Sequence, residues 1–297
     1  NPIFPARTTV QEVTIMSNSN LDRAQILTEA LPYIQRYNGK IVVVNCGGLS
    51  MGQELQDAIA TDITLLRLVG VKVVLIHGIG PQIQQALQQA GKELPVAGGL
   101  PQVDEEAIDQ VQELLCGKIN KGLAATLNKH GSKSIGLCGI DGGLLTAKPS
   151  SGRTGELTQV NASLLEDFLA RDYTPVVAAI AQGSQDSTQA YSVSADQTAS
   201  KLAVALNAEK LIHLVAADQL LRIPQSPEAP IPVIPLSQVP ALIRNGTIPS
   251  DMAAKVNYSV EAVRSGVQSA TLLDGSVPHA ILLELLSDAG IGTMLTH

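Results

Sequence analysis

The sequence predicts an α/β protein in which a mainly parallel β-sheet lies between layers of helices. A pattern of an apolar, β-branched strand, a glycine turn and a helix occurs twice, in residues 40–68 and 72–90. Apolar residues make up 45% of the 297 residues but aromatic residues only 2%, so the core must consist of Val, Ile, Leu and Ala. That composition suits strands covered by helices on both faces. Strand and helix patterns also alternate along both halves of the chain.

The glycines after these two strands are the first candidate binding residues. Gly47 and Gly48 follow the first strand, and Gly78 and Gly80 follow the second. A strand that ends in glycines before a helix brings backbone N–H groups close to an anion. A glycine here is also an ordinary turn residue, and either copy alone leaves both interpretations open. Two copies in succession indicate neighbouring strands whose loops share one edge of the sheet, where such sheets bind ligands.

Charge, cysteine content and hydropathy exclude several classes of protein. The net charge is −7 and the basic residues are scattered, which argues against a nucleic-acid-binding surface. Cys46, Cys116 and Cys138 form no CxxC motif, and we expect buried thiols in a reducing compartment. No apolar run has the length that a bilayer requires, so we expect a soluble protein without membrane insertion.

The first half of the chain begins with an arm and a helix. Residues 1–19 have no steady period and predict an extended arm, whereas apolar residues recur with helical spacing from residue 20 until Gly39. This N-terminal helix either packs on the domain or contacts another subunit. Further helices are predicted at 53–68, 81–90, 104–127 and 161–171, a loop or hairpin at 94–103, and strands at 40–45, 72–76, 134–137, 144–147 and 175–181.

The second half restarts the alternation after a polar turn. Residues 191–195 lead into the first helix of this half. Strands are predicted at 210–215, 269–273 and 292–295, helices at 196–206, 237–244, 251–265 and 278–286, and a polar, proline-rich excursion at 224–235. We divide the chain into an N-terminal lobe, residues 20–181, and a C-terminal lobe, residues 182–297. Because no disordered linker separates them, we expect one continuous sheet through both.

Short motifs follow one another in a fixed order along residues 20–296. They are Val-Val-Val-x-x-Gly-Gly at 42–48, His-Gly-x-Gly-Pro at 77–81, Gly-Leu at 99–100, Gly-Glu at 155–156, Ala-Asp at 195–196, Met-x-x-Lys at 252–255 and Asp-Gly-x-x-Pro-His at 274–279. This order resembles the N-acetylglutamate kinases of the amino-acid kinase family. The N-terminal helix and residues 282–293 are similar to the arginine-inhibited, hexameric branch of cyanobacteria and plastids.

The resemblance implies a three-layer αβα sandwich, with the acyl substrate on the N-terminal lobe and the nucleotide on the C-terminal lobe. It implies an ATP-dependent kinase of arginine biosynthesis, with Mg²⁺ accompanying ATP, in the cytoplasm or the plastid stroma. It also suggests an arginine effector site with Tyr33, His279, Glu284 and Gly290. A surface charge on a helix and a turn are the ordinary explanations of Glu284 and Gly290.

Several residues that would carry the chemistry depart from the family pattern. In the family, a lysine on the first strand contacts the transferring phosphoryl group. Asn45 stands at its position here, and an amide brings no positive charge to the transition state. Loss of one such contact costs about 3–4 kcal/mol of barrier. Ile79 replaces a glycine of His-Gly-Gly-Gly-Pro and blocks close approach to phosphate. Pro101 replaces the arginine that clamps the acetylglutamate carboxylate, and Ser192 replaces an asparagine that helps to hold the substrate.

The nucleotide side departs as well, and two family residues survive. Thr-Asp-x-x-Gly is replaced at residues 215–219, and the Gly-Gly before Met252 is Ser250-Asp251. Asp196, which in the family orients catalytic lysines, and Lys255, which stabilises the phosphoryl group and the nucleotide, are in place. A helix N-cap and a surface cation are their ordinary explanations.

The main hypothesis is a non-catalytic, acetylglutamate-kinase-like pseudoenzyme that serves as a structural or regulatory subunit. Under this hypothesis we expect no cofactor and no metal site. We also expect an oligomer formed through the N-terminal helix, with copies of the same chain, an active related kinase or a PII-type signalling protein as the partner. The alternative is a working ATP- and Mg-dependent kinase on acetylglutamate or a related carboxylate, with positive charge supplied by Lys72, Lys133 or Arg153.

Overall fold

The computed structural model of the protein describes residues 10–47, 49, 52–97, 100–223, 226–288 and 290–297, with the backbone alone at 10–23, 223 and 226–229. The α-helices are α1 (Val10–Tyr37), α2 (Gln53–Leu68), α3 (Pro81–Gln89), α4 (Ile108–Gln112), α5 (Asn120–Lys129), α6 (Ser163–Ala170), α7 (Ala195–Ala205), α8 (Val239–Arg244), α9 (Ser250–Arg264) and α10 (Ala280–Leu286). A π-helical segment, Glu113–Ile119, joins α4 to α5.

The strands are β1 (Ile41–Asn45), β2 (Lys72–His77), β3 (Val96–Ala97), β4 (Leu100–Pro101), β5 (Ser134–Cys138), β6 (Leu145–Ser151), β7 (Thr154–Val160), β8 (Thr174–Ala178), β9 (Ile180–Gly183), β10 (Ala190–Ser192), β11 (Lys210–Val215), β12 (Arg222–Ile223), β13 (Ser226–Pro230), β14 (Val233–Pro235), β15 (Ser269–Asp274) and β16 (Thr293–Thr296).

Strands from both halves of the chain form one main sheet. Its order within the described residues is β14-β16-β15-β11-β1-β2-β8-β5, and the pairs are parallel except for the antiparallel pair β15 and β16. The two halves meet where β1 pairs with β11, and Asn45 then lies opposite His213 on one side and Ile76 on the other. The expected continuous sheet is present, while the exact boundary between the lobes stays a prediction.

Helices cover both faces of this sheet, and successive side chains of the strands face opposite layers. Val43 joins a buried cluster with α6, α7 and α9, whereas Val42 and Val44 join a cluster with α2, α5 and α10. A third cluster packs α3 and α4 against β8 and β9. The predicted αβα sandwich is confirmed.

Two smaller β-structures flank one end of the sheet. β6, β7, β9 and β10 pair in a ring that closes into a small barrel. β3 and β4 form an antiparallel hairpin, as predicted for residues 94–103, with Gly98 and Gly99 outside the described residues. The barrel and the hairpin stand beside the carboxyl ends of β1 and β2, where they enclose the site described below.

The N-terminal helix is longer than the sequence pattern predicts. α1 begins at Val10, so the prediction of an extended arm is wrong for residues 10–19, and residues 1–9 lie outside the described residues. Between Pro5 and Pro32 no proline interrupts the chain, so nothing there removes a backbone donor. Neither α1 nor any other helix of the described residues is long and apolar enough to cross a membrane.

The structure also contains strands that the sequence pattern does not predict. β7 pairs along the whole of β6, and residues 175–181 divide into β8 and β9. The proline-rich excursion contains β13 and β14, which the sequence pattern does not predict, and residues 224–225 lie outside the described residues. Prolines are tolerated there because β14 is an edge strand of the main sheet.

A close approach between the two glycine loops and α7 fixes the geometry of this end of the sheet. A Cβ atom at Gly47 would lie 2.4 Å from Cβ of Ala195, and one at Gly78 would lie 2.8 Å from the same atom. Only glycine therefore lets both loops contact the first turn of α7. This contact brings Asp196 of α7 to the end of β1.

Candidate functional site

A cleft of about 380 Å³ opens beyond the carboxyl ends of β1 and β2. Gly47 and Gly78 line it from the sheet, and the β3–β4 hairpin, the barrel, α7 and α9 complete its lining. Parallel sheets bind ligands at this edge. The two glycine loops of the sequence therefore meet at one place, because β1 and β2 are neighbouring strands, as predicted.

The cleft contains several of the residues at which the sequence departs from the family pattern. Ile79 and Pro101 both line it, and so does the buried Ser192 at the end of β10. Gly80 lies elsewhere: it precedes α3 and borders a separate cavity of about 20 Å³. Gly48 lies outside the described residues.

Asn45 ends β1 with its side-chain amide fully engaged. Its Nδ2 donates to Oδ1 of Asp196 at 2.7 Å and lies 2.9 Å from Nδ1 of His213, while its Oδ1 accepts a 2.8 Å hydrogen bond from the N–H of Gly47. Burial lowers the pKa of His213, so the ring is neutral at pH 7 and its Nδ1 accepts from the amide. The amide thus joins two strands and a helix, and the residue is only 1% exposed.

Asp196 and Lys255 form an ion pair in the cleft, next to Asn45. The ammonium of Lys255, from the second turn of α9, donates to Oδ1 of Asp196, the oxygen that also accepts from Asn45. Burial opposes ionisation of this carboxyl, but the charge of Lys255 and hydrogen bonding outweigh it and hold the pKa of Asp196 below its usual range. The pair is therefore ionised, and each charge is neutralised by the other.

The ordinary explanations of these two residues do not fit the structure. Ser194, not Asp196, is the N-cap of α7, and its hydroxyl accepts from the N–H of Gln197. The side chain of Lys255 is only 10% exposed, so it is not a surface cation. Both residues are held at the cleft by their mutual ion pair.

Two polar residues of this region escape the sequence analysis. His213 lies in the middle of an apolar strand, and its contact with Asn45 follows from the pairing of β1 with β11, which sequence spacing does not reveal. Tyr258 of α9 lines the cleft one turn after Lys255. The sequence signal for His213 is a single histidine inside an otherwise apolar strand.

Comparison with known proteins gives this arrangement a family. The family model described as "Amino acid kinase family" matches residues 40–274. The chain belongs to the amino acid kinase family. The matched range runs from the start of β1 to the end of β15, and therefore includes both glycine loops, α7 and α9.

Relatives place this amino acid kinase family member among the acetylglutamate kinases. That of Clostridium beijerinckii is 43% identical over 283 residues, 93% of this chain and 99% of the relative, and that of Nostoc sp. is 39% identical over 291 residues, 96% and 97%. The structure of N-acetylglutamate synthase from Neisseria gonorrhoeae is also similar, with a TM-score of 0.81 and 24% sequence identity. The match covers 92% of this chain and 63% of the synthase chain. The last likeness supports the fold alone.

The structure describes all four residues suggested for an effector site in this kinase-family fold. Glu284 of α10 accepts from Nζ of Lys210 at 2.6 Å and from Oγ1 of Thr271 at 3.1 Å, and its side chain is only 6% exposed. It is therefore not the surface charge of the ordinary explanation. A Cβ atom at Gly290 would contact its Oε2 at 3.4 Å, so the two residues are neighbours. Both hydrogen bonds are made by Oε1 of Glu284, and Gly290 lies beside the other oxygen.

Tyr33 and His279 bind other carboxylates. The hydroxyl of Tyr33 donates to Oδ1 of Asp288, which ties α1 to the segment after α10. Nδ1 of His279 lies 2.6 Å from Oδ1 of the buried Asp62. Burial raises the pKa of Asp62, although His279 and two backbone N–H groups of α10 oppose that shift. Arginine binding at these residues stays a prediction.

A second buried histidine lies at the end of β2. Nε2 of His77 lies 2.9 Å from Nδ2 of Asn120, which also donates to the carbonyl oxygens of Leu137 and Val176. Nδ1 of His77 has no hydrogen-bond partner among the described residues. Burial, with a smaller contribution from the charge of Lys121, lowers the pKa of His77 to about 3. The ring is therefore neutral in the folded protein.

Acid should destabilise the protein partly through His77. Its pKa falls from 6.5 in the unfolded chain to about 3 in the folded one, so its stabilising effect is complete above pH 6.5 and is lost as the pH falls from 6.5 towards 3. Denaturant unfolding at pH 6 and pH 4 should show that wild type loses about 2 kcal/mol more than His77→Gln between these values. Each protein at pH 7.5 provides its own reference, and equal losses in the two proteins would contradict the buried neutral state.

Proposed function

We propose that this chain keeps the acetylglutamate-kinase fold without catalysing phosphotransfer at an effective rate, and that it serves as a structural or regulatory subunit. The observation that carries the proposal is the side chain of Asn45. It occupies the position of the phosphoryl-contacting lysine, and its amide already satisfies Asp196, His213 and the N–H of Gly47. It has neither a positive charge nor a free donor to offer to a phosphoryl group.

The charge of the cleft supports the same proposal. Among the described residues that line it, the charged side chains are Asp196, Asp251 and Lys255, two carboxylates and one ammonium. Phosphoryl transfer requires cations around a group whose charge spreads over three oxygens. The single ammonium is neutralised by Asp196. These residues do not fit a polyphosphate.

The other cations considered in the sequence do not replace the missing lysine. Lys72 begins β2 and so lies at the opposite end of that strand from the cleft. Lys133 stacks on the ring of Tyr173 at 4.2 Å and donates to a backbone carbonyl. Arg153 is next to the cleft, but its guanidinium binds Glu105 and stacks on Tyr191.

A second candidate function is ATP-dependent phosphorylation of acetylglutamate. The named relatives support it more directly than they support loss of activity, because they extend over nearly the whole chain and carry the name of that kinase. The Lys255–Asp196 pair also favours it, since both residues that survive from the family pattern line the cleft. ATP and Mg²⁺ would then be required.

An ADP-release assay with MgATP and N-acetylglutamate separates the two functions. We expect wild type to release no more acetylglutamate-dependent ADP than Lys255→Met, which removes the one ammonium among the described residues that line the cleft. The variant Asn45→Lys/Ile79→Gly/Pro101→Arg/Ser192→Asn restores the family residues and should exceed wild type by about 100-fold or more, because each transition-state contact contributes a factor of that order. Acetylglutamate-dependent turnover by wild type that Lys255→Met abolishes would establish the kinase instead.

The subunit role is supported by α1. Its Ile26, Leu27 and Leu31 are 63%, 71% and 49% exposed, whereas Tyr37 near its end is buried against the domain. The helix thus packs on the fold through its last turns and leaves apolar side chains uncovered further along. Removing such side chains from water favours association. A second copy of this chain or a related kinase with the same helix would cover them.

Native molar mass tests this role of α1. Light scattering after gel filtration should give an oligomer for wild type and a smaller species for Leu27→Glu, because a buried carboxylate is costly in an apolar contact. Leu68→Glu is the matched control, since Leu68 of α2 is 68% exposed and should leave the mass unchanged. A wild-type monomer would argue against self-association, and an unchanged mass in Leu27→Glu would exclude this surface.

A further inference from the structure

Cys116 and Cys138 belong to different elements that the fold places side by side. Asn128 of α5 binds both backbone groups of Ser134, and Asn120, two turns earlier, donates to the carbonyl oxygen of Leu137. α5 and β5 are therefore antiparallel neighbours. Cys116 lies one turn before Asn120 in the π-helical segment, and Cys138 directly follows Leu137, so both reach the same end of this contact.

Both cysteine side chains pack on the same buried cluster of α3, α4, β8 and β9, so the two thiols are neighbours. A hydrogen bond between them is the main influence on the pKa of each thiol. Both residues are half-buried, so a small reagent can reach them. A disulfide can form only between two cysteines whose side chains lie close together.

The surroundings make the two sulfurs unequal. The hydrogen bond from Cys116 lowers the pKa of Cys138, assisted by the N–H groups of Ile140 and Asp141 and opposed by burial. The same hydrogen bond raises the pKa of Cys116, with burial and the negative charge of Asp141 acting in the same direction and the charge of Lys121 against it. Cys138 is therefore the thiol that ionises and attacks first.

We propose that Cys116 and Cys138 are a redox modification site that forms a reversible disulfide within one chain. The oxidant is a small-molecule disulfide. The Cys138 thiolate attacks one sulfur of that disulfide, a mixed disulfide forms, and one thiolate leaves. Cys116 then loses its proton and attacks the Cys138 sulfur, which releases the second thiol. The protein loses two electrons and two protons, and the oxidant is reduced to two thiols.

The bond would join the π-helical segment to β5, an edge strand of the main sheet. The cluster under both cysteines also contains Ile79 of the second glycine loop. Because a cross-link restricts the unfolded chain, the melting temperature of the oxidised protein should be several degrees higher than that of the reduced protein.

Cys46 provides an internal control. It is 2% exposed at the end of β1, its Sγ donates to the carbonyl oxygen of Ile76 at 3.3 Å, and burial raises the pKa of its thiol to about 12. A buried thiol of this kind stays protonated and unreactive. Oxidation should therefore remove two of the three thiols of the chain.

The test is to incubate the reduced full chain with oxidised glutathione, block free thiols and digest with trypsin. Cleavage after Lys118 and Lys133 separates the two cysteines, so mass spectrometry should find their peptides linked, with the mass of two hydrogen atoms missing, and Cys46 blocked. Dithiothreitol should restore three thiols. Three free thiols after oxidation, a stable mixed disulfide in wild type, or a link between two chains would overturn the proposal.

Single variants test the order of attack. Cys116→Ser should accumulate a glutathione adduct on Cys138, whereas Cys138→Ser should modify Cys116 several-fold more slowly. Cys46→Ala should form the disulfide as wild type does. Equal adduct rates in the first two variants would contradict the assigned roles, and the thiol count of wild type decides the disulfide itself even if a variant fails to fold.

Discussion

The amide of Asn45 holds together the three elements on which the cleft depends. It ends β1, contacts His213 of β11 and Asp196 of α7, and orders the first glycine loop through the N–H of Gly47. A neutral amide can do this inside the protein because both its oxygen and its nitrogen find partners and neither carries a charge that must be desolvated. A lysine there would bring an ammonium beside Lys255, so the substitution changes the electrostatics of the whole site.

Packing between elements holds this end of the fold together independently of the chemistry of the cleft. Gly47 and Gly78 are required by their contact with Ala195, whatever the cleft binds. The Lys210–Glu284 pair, with side chains only 6% exposed, links β11 to α10, and removal of one partner alone would leave a buried charge. Such contacts stabilise the fold whatever the cleft binds, so glycines and buried ion pairs are weaker signs of catalysis than cations that reach the ligand.

Periodicity and motif order predict most of the fold from the sequence, because regular strands such as β1 and β2 and helices such as α2 satisfy local rules. The errors lie where tertiary pairing decides. β7 forms because it pairs with β6 and β10. Its sequence, Thr-Gly-Glu-Leu-Thr-Gln-Val, is too polar for its pattern alone to predict a buried strand. Likewise, His213 becomes a site residue only through the register of β11 against β1, which no spacing along the chain encodes.

Among the described residues that line the cleft, the one ammonium is already neutralised by Asp196, and β1 ends beside it in the amide of Asn45. Isothermal titration of the purified chain with MgATP tests this most directly, because it needs neither a second substrate nor turnover. The predicted result is no saturable heat at millimolar nucleotide in wild type. A saturating isotherm with one site per chain that Lys255→Met abolishes would contradict the account.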